Sequence, residues 1–253
     1  MKRAICIAMM FAMVAGFAFA ETQVGIVLPT KDEPRWIQDQ TRFQDALKSA
    51  GFSAKVLFSQ GDSGKEKSNV EALVSEGIKV LVICPQDGTA AAAAADLAHA
   101  AGVKVISYDR LIRDTTSVDY YVTFDSFQVG KAWGDYLNSK VPAGSKGNNL
   151  YLYAGAASDN NSFIFFEGAW SALQPKIADG TYVVRNSDKA VGLAKKAQLT
   201  RDEEAQIIGQ VTTNWSFSDA KNKAEANLTA APKAAKGVAY VCAPNDGTAR
   251  AIA

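Results

Sequence analysis

The sequence is poor in the residues that most often carry catalysis or bind transition metals. It has one histidine, His99, and three cysteines among 253 residues, and no run of either type has metal-ligand spacing. Neither Gly-x-Ser-x-Gly nor a Gly-x-Gly-x-x-Gly after the first apolar run occurs. The sequence therefore predicts no catalytic residue, no metal site and no cofactor, and His99 is expected to be a partly buried helix residue. A pair of carboxylates from distant positions is the one catalytic arrangement that stays open.

An excess of one charge sign is also missing. Lysine and arginine number 27 against 26 for aspartate and glutamate, so charge indicates neither nucleic acid nor an acidic membrane as a partner. Two cysteines, Cys84 and Cys242, end apolar runs in different halves of the chain. We expect two buried free thiols there rather than a disulfide.

The amino terminus has the pattern of an export signal. Met1-Lys2-Arg3 is basic, residues 4–19 are almost wholly apolar, and Ala18-Phe19-Ala20 is a small-x-small cleavage site before Glu21. The apolar stretch is short for a membrane span of about 20 residues. We predict a secretory signal peptide over residues 1–20 and a periplasmic location for the mature chain.

Short apolar runs alternate with helical patterns in the first half of the chain. Predicted helices end at glycines such as Gly51, Gly77 and Gly102. This alternation is typical of an α/β protein whose parallel sheet is covered by helices on both faces. We place a first lobe at residues 21–142, with strands predicted at 24–28, 55–58, 80–84, 103–106 and 120–124.

A short segment rich in proline, glycine and serine, residues 142–147, separates this lobe from a second one of similar architecture at residues 148–253. Strands are predicted at residues 149–153, 182–184 and 238–241. A sheet with so few strands would leave an open edge. The second lobe is therefore expected to be incomplete, and the chain to be truncated or a partial gene product.

Polar and aromatic side chains follow most of the predicted strands. Open α/β sheets bind ligands at this carboxyl edge. A carboxylate that accepts and a guanidinium that donates in a fixed fork suit a neutral polyhydroxylated ligand better than a phosphate or a metal. An aromatic ring can cover the apolar face of a sugar. The candidate binding residues are Arg35, Trp36, Asp87, Asp109, Arg110, Asn160, Asn161, Trp215 and Asn245.

Some of these candidates have a purely structural alternative. Asp109 and Arg110, which follow a predicted strand, would then form a surface ion pair. Trp36 would then be a core residue of the first helix.

Other candidates lie where helices are expected to begin. Asp87, before Gly88, is either a ligand group or only a turn and cap. Asp159 is expected to cap the helix that follows it. At the last helix we expect Asp246 to be the cap and Asn245 to be the ligand group.

Five segments, in order along nearly the whole mature chain, carry a resemblance to one family. They are Pro29-Thr30-Lys31 with Arg35-Trp36, Tyr108-Asp109-Arg110-Leu111-Ile112, residues 120–130 (YYVTFDSFQVG), Asp159-Asn160-Asn161 with Gly168-Ala169, and Pro244-Asn245-Asp246-Gly247. With these segments the chain resembles the periplasmic sugar-binding proteins of ABC importers, most of all the xylose-binding and multiple-sugar-binding receptors. Residues 191–211 depart from the family pattern.

The resemblance implies the type I periplasmic binding protein fold: two Rossmann-like lobes, joined by hinge strands, with one sugar in the cleft between them. It implies ligand groups from the first lobe at Arg35, Asp109 and Arg110, with Asp87 as a further contact. It implies ligand groups from the second lobe at Asn160 or Asn161, Trp215 and Asn245.

The function implied is a non-enzymatic receptor that captures a monosaccharide, an aldose such as xylose, glucose or galactose, and delivers it to an ABC permease in the inner membrane. A chemoreceptor is a second partner that the resemblance allows, and the chain is expected to be a monomer that binds no nucleic acid. Two alternatives stay open, a truncated non-functional paralogue and a secreted carbohydrate-active enzyme. A sugar-responsive repressor, which shares the fold, would have a DNA-binding amino terminus in place of a signal peptide.

Overall fold

The computed structural model of the chain describes residues 23–253. Five of its strands form one parallel sheet: β1 (Val24–Leu28), β2 (Ala54–Phe58), β3 (Val80–Ile83), β4 (Lys104–Tyr108) and β5 (Tyr120–Val122). Their order across the sheet is β2-β1-β3-β4-β5. All five strand predictions for the first half of the chain are confirmed, as is the parallel arrangement.

Helices α1 (Pro34–Ser49), α2 (Ser63–Ser75) and α3 (Ala92–Ala100) make the first three crossovers between these strands. Pro34 opens α1, where its fixed φ fits the first helical turn and no backbone donor is lost. The residue after the C-cap is Gly77 in α2 and Gly102 in α3, with φ of 85° and 79°. This left-handed conformation ends each helix at the glycine that the sequence pattern indicated.

Successive residues of the central strands pack on opposite faces of the first sheet. Val27 contacts the cluster formed with α2 and α3, whereas Ile26 and Leu28 contact the cluster around Trp36 of α1. A strand buried on both faces has a continuous apolar sequence instead of an alternating one. The layered α/β fold expected from the sequence is therefore confirmed for this half.

A second parallel sheet consists of β6 (Asn148–Leu152), β7 (Tyr182–Val184) and β8 (Ala239–Cys242), in the order β7-β6-β8. It too is covered on both faces, since Leu150 and Leu152 pack in one cluster and Tyr151 and Tyr153 in another. The remaining helices are α4 (Ser126–Lys140), α5 (Asn160–Ala178), α6 (Asp188–Gly192), α7 (Arg201–Val211), α8 (Phe217–Ala230) and α9 (Asp246–Ile252), with a 3₁₀ helix at Lys233–Ala235.

Residues 191–211, which the sequence analysis could not match to the family pattern, contain the end of α6 and all of α7. The Thr200 hydroxyl accepts from the backbone N–H of Glu203, and the Glu203 carboxylate accepts from the backbone N–H of Thr200. This reciprocal capping box fixes the start of α7.

Helix α4 packs on α5, although it directly follows β5 of the first sheet. A Cβ on Gly130 would lie 1.9 Å from the carbonyl oxygen of Phe165, and one on Gly168 would lie 2.1 Å from that of Phe127. The packing therefore favours a division of the chain at residues 123–125 and not at the predicted residue 142. Residues 142–147 are only the turn between α4 and β6. We call residues 23–122 the first unit and residues 126–253 the second unit.

Cys84 and Cys242 are free and buried, as predicted. His99 lies in α3, as predicted, and half of its side chain is exposed. The buried face of α3 consists of Ala94, Ala95 and Ala98.

Within residues 23–253, no helix combines the length and the apolar character that a membrane span needs. The predicted signal peptide lies outside the described residues.

Candidate functional site

A cavity of about 340 Å³ lies between the two units, and we call it the cleft. Its volume lies within the range of small-molecule sites, roughly 300–1,000 Å³. The second unit lines it with residues 214–218, which precede and begin α8. The first unit lines it from the segments that follow β1, β2, β3 and β4, with Pro29, Thr30, Asp32, Glu33, Gln60, Gly61, Gln86 and Arg110. The cleft is thus at the carboxyl edge of the first sheet, where the sequence predicted a ligand site.

Asp109 turns the chain at the end of β4. Its φ is 64°, a left-handed conformation that a short acidic side chain tolerates. Its backbone N–H donates to the carbonyl of Val122 (2.8 Å), and its own carbonyl accepts from the hydroxyls of Tyr121 (3.2 Å) and Thr123 (2.9 Å). The position of the Asp109 carboxylate is therefore fixed by backbone contacts to β5 and the segment after it.

Arg35, from the first turn of α1, forms an ion pair with the Asp109 carboxylate. Its Nε also lies 3.4 Å from a carboxylate oxygen of the buried Asp39. Burial alone would lower the pKa of Arg35, but Asp109 raises it above its ordinary value, so the guanidinium stays charged. Arg35 and Asp109 are thus brought together, as predicted for the first lobe, although neither lines the cleft.

Trp36 lies in the core and not in the cleft. Only 2% of its surface is exposed, and it packs with Ile26 and Leu28. The guanidinium carbons of Arg35 and Arg110 lie 4.5 and 5.5 Å from its ring centroid. The ring therefore supports two predicted ligand groups by cation–π contact.

Arg110 is buried at the floor of the cleft, and it bonds to both units. Its Nη1 donates to the carbonyl of Pro85 (3.2 Å) and its Nε lies 3.1 Å from a carboxylate oxygen of Asp159. Burial raises the pKa of Asp159, while the Arg110 guanidinium opposes that rise. Glu33 lines the cleft, and burial raises its pKa as well. The positive charge of Arg110 lowers the pKa of Glu33 and so opposes this rise. Arg110 is therefore the main positive charge at this site.

Three direct contacts join the two units beside the cleft. Asn161 Nδ2 donates to the carbonyl (3.0 Å) and carboxylate (3.2 Å) oxygens of Asp109. Arg110 pairs with Asp159, and the backbone N–H of Gly88 donates to the carbonyl of Ser158 (3.2 Å). All the second-unit partners come from residues 158–161, at the start of α5.

Asp159 combines two roles, since its other oxygen accepts from the backbone N–H of Asn161 and caps α5, as expected. Asn160 points elsewhere: its side-chain oxygen accepts from Arg201 (3.0 Å). The sequence left Asn160 and Asn161 as alternatives, and the structure brings Asn161 to Asp109.

Two further predicted ligand residues have structural roles: Asp87 closes the turn that precedes α3, and Asn245 caps α9. Asp87 accepts from the backbone N–H groups of Thr89 (2.8 Å) and Ala90 (2.9 Å). This is the turn role that the sequence analysis gave as the alternative to a ligand role. Asn245 caps α9, since its side-chain oxygen accepts from the backbone N–H of Thr248 (2.7 Å). The expectation that Asp246 would be this cap is wrong, because Asn245 has the extended backbone of a cap and Asp246 is already helical. Neither Asp87 nor Asn245 lines the cleft.

Trp215, one of the predicted ligand residues, lines the cleft. A Cβ on Gly155 would lie 2.0 Å from Cζ2 of Trp215, so the indole rests directly on the glycine backbone. The ring also meets Phe165 edge to face, with centroids 6.4 Å apart. Both Asn214 and Trp215 have left-handed φ, at 52° and 61°. Such backbone costs energy and is typical of binding loops.

Sequence reasoning missed several residues of the cleft, among them Gln86, Asn214 and Phe217. Their position within two residues of the recognised candidates Asp87 and Trp215 was the signal available in the sequence. Within the described residues, no group of three or more metal-ligating side chains occurs.

The chain is similar to curated sugar-binding periplasmic proteins. The chain is 39% identical to the multiple sugar-binding periplasmic receptor ChvE of Rhizobium radiobacter over 201 residues, which are 79% of this chain and 56% of that protein. It is 30% identical to the D-xylose-binding periplasmic protein of Escherichia coli over 176 residues, 70% of this chain and 52% of that protein. The chain thus spans about half the length of these relatives.

Solved structures give the same result. A carbohydrate transporter solute binding protein from Chloroflexus aurantiacus, in complex with D-glucose, is 70% identical with a TM-score of 0.86, over 90% of this chain and 67% of that one. An ABC transporter solute binding protein from Clostridium phytofermentans, with bound β-D-glucose, is 31% identical with a TM-score of 0.75, over 91% of this chain and 67% of that one.

The periplasmic binding protein domain matches residues 24–253, which is nearly the whole chain. The resemblance found in the sequence is thereby confirmed, as is the α/β fold with parallel sheets flanked by helices. The chain belongs to the family of periplasmic binding proteins.

Proposed function

We propose that this chain binds one monosaccharide in the cleft, an aldose such as xylose, glucose or galactose. The observation that carries the proposal is the lining of the cleft. Six amide or hydroxyl side chains line it, together with two carboxyl groups, one buried arginine and the rings of Trp215 and Phe217. Such a lining offers paired hydrogen bonds to hydroxyls and apolar contact to C–H groups.

In this proposal the bound sugar stabilises the closed arrangement of the two units. Arg110 and Gln86 contact it from the first unit, and Asn214 and Trp215 contact it from the second. Asp109, Arg35 and Asn161 lie beside the cleft and reach the sugar after a small rearrangement of their mutual bonds. Only contacts that differ between open and closed states can shift the equilibrium between them.

The protein would be exported through the predicted signal peptide, work in the periplasm as a monomer, and deliver its sugar to an ABC permease. A chemoreceptor that recognises the closed form is a second partner in this proposal. Support comes from the names of the relatives, a periplasmic receptor and a periplasmic binding protein for sugars.

Titration calorimetry with xylose, glucose, galactose, arabinose and ribose tests the proposal. Saturable heat with at least one of these sugars is expected, and its absence for all five would contradict the proposal. Asp109→Ala should remove the sugar-dependent rise in Tm, because Asp109 holds both Arg35 and Asn161 in place. Asp135→Ala, which removes an exposed carboxylate of α4, is the matched control and should keep that rise.

Turnover of a glycoside substrate would distinguish a carbohydrate-active enzyme from a binding protein. Asp32 and Glu33 both line the cleft, so two carboxyl groups are available there for acid–base chemistry. Incubation with aryl glycosides should release no phenol under the binding-protein proposal. Turnover that Glu33→Gln abolishes would favour the enzyme instead.

A further inference from the structure

Phe217 is the first residue of α8 and lines the cleft two positions after Trp215. Its backbone is fixed by Ser216, whose hydroxyl accepts from the backbone N–H of Asp219 (3.2 Å) and caps the helix. A phenylalanine ring has two rotatable side-chain bonds, so a fixed backbone leaves it few positions. Phe217 is therefore a rigid part of the cleft wall.

The ring of Phe217 rests on Gly247 of α9. A Cβ built on Gly247 would lie 2.2 Å from Cε1 and 2.4 Å from Cζ of Phe217. Any side chain larger than hydrogen at residue 247 must therefore displace the ring. Because Phe217 is also a lining residue of the cleft, a displaced ring changes the space that the cleft offers to a ligand.

We propose that Phe217, held in position by Gly247, determines the largest sugar that the cleft accepts. This proposal rests on the proposed function and names a specificity residue for it. Neither Phe217 nor Gly247 offers a hydrogen bond from its side chain, so their effect is one of size. The relevant ligand feature is the hydroxymethyl group that distinguishes a hexose from a pentose.

One methylene more or less in an apolar pocket changes discrimination by about 10- to 200-fold. Phe217→Ala enlarges the cleft and should raise the ratio of glucose affinity to xylose affinity by about tenfold. Gly247→Ala has the opposite effect and should lower that ratio by about tenfold.

Calorimetric titration of D-glucose and D-xylose into four proteins tests this: the parent, Phe217→Ala, Gly247→Ala and the double variant. If the glycine acts through the ring, Gly247→Ala has no further effect once the ring is absent. The double variant should then have the same affinity ratio as Phe217→Ala alone. Phe52→Ala makes the same chemical change at an exposed residue and should leave the ratio unchanged.

An unchanged ratio in Phe217→Ala, with both sugars still bound, would overturn the inference and leave the proposed function intact. Failure of the parent to bind either sugar, or any sugar of the larger panel, would contradict the proposed function instead. Should Phe217→Ala not fold, Phe217→Leu, which keeps most of the apolar volume, replaces it with the same expected direction. A ratio unchanged in Phe217→Leu would equally overturn the inference.

Discussion

Asn161 of the second unit donates two hydrogen bonds from one nitrogen to Asp109 of the first unit, at 3.0 Å to its carbonyl and 3.2 Å to its carboxylate. Both residues are buried, at 2% and 5% exposure. Since Arg35 binds the other carboxylate oxygen, Asp109 has both of its acceptor atoms engaged before any ligand arrives. A sugar hydroxyl that donates to this carboxylate must therefore share an oxygen with Arg35 or Asn161, or displace one of these two groups.

Asn161→Ala is expected to lower the free energy of unfolding by about 1–3 kcal/mol, the cost of leaving one buried carboxylate oxygen of Asp109 without its partner. Urea denaturation followed by circular dichroism measures it. Asn160→Ala is the matched control, because its side chain is only partly buried and accepts one bond, from Arg201. A loss as large in Asn160→Ala as in Asn161→Ala would contradict the importance of the contact to Asp109.

Glu66 gives a prediction about pH. Its side chain is buried below the cleft, where one oxygen accepts from the backbone N–H of Gln86 (2.7 Å) and the other has no partner. Burial raises the pKa of Glu66 from 4.5 to about 7, against the opposing effects of Gln86 and Arg110. A carboxyl whose pKa is higher in the folded state stabilises the fold below the unfolded pKa. That stability is lost as the pH rises through the folded pKa.

Glu66→Gln should therefore be more stable than the parent at pH 8, by about 3 kcal/mol for a shift of this size, and the difference should vanish towards pH 4.5. Denaturation midpoints measured from pH 4.5 to pH 8 test this. Glu71→Gln, at an exposed position of the same helix, should follow the parent at every pH. Glu204, whose pKa burial beside Glu167 also raises to about 7, contributes equally to all three proteins. A constant difference across the range would contradict the assignment to Glu66.

Gly130→Ala should disrupt the packing of α4 on α5. The added Cβ would lie 1.9 Å from the Phe165 carbonyl oxygen, which is backbone and cannot rotate away. Overpacking of this kind costs about 1–3 kcal/mol. Gly209→Ala is the control: residue 209 is also helical, and a Cβ there meets nothing within 4 Å. That change should stabilise the protein by up to about 1 kcal/mol through helix propensity alone. Equal effects on Tm would argue against close helix contact.

The first sheet could be predicted from the sequence because its signals are local. Each strand is a short apolar run, and glycines such as Gly77 and Gly102 end the helices before them. The division between the units could not be predicted in this way. The turn after α4 and a true linker have the same Pro/Gly/Ser composition, and the packing of α4 on α5, as at Gly130 and Phe165, distinguishes them.

Part of the candidate site followed from position at strand ends, as Asp109 and Arg110 illustrate. The choice between Asn160 and Asn161 did not, because successive helical residues point about 100° apart and only the assembled structure decides which one meets Asp109. The role of Phe217 was also out of reach of the sequence. The Phe217 ring packs on Gly247, which lies thirty residues further along the chain in another helix.

The contacts between the units all meet at four consecutive residues, 158–161. Because these residues belong to the rigid start of one helix, a rotation that lengthens one contact lengthens the others with it. Separation of the two units therefore requires the loss of all three contacts at one short segment of the second unit.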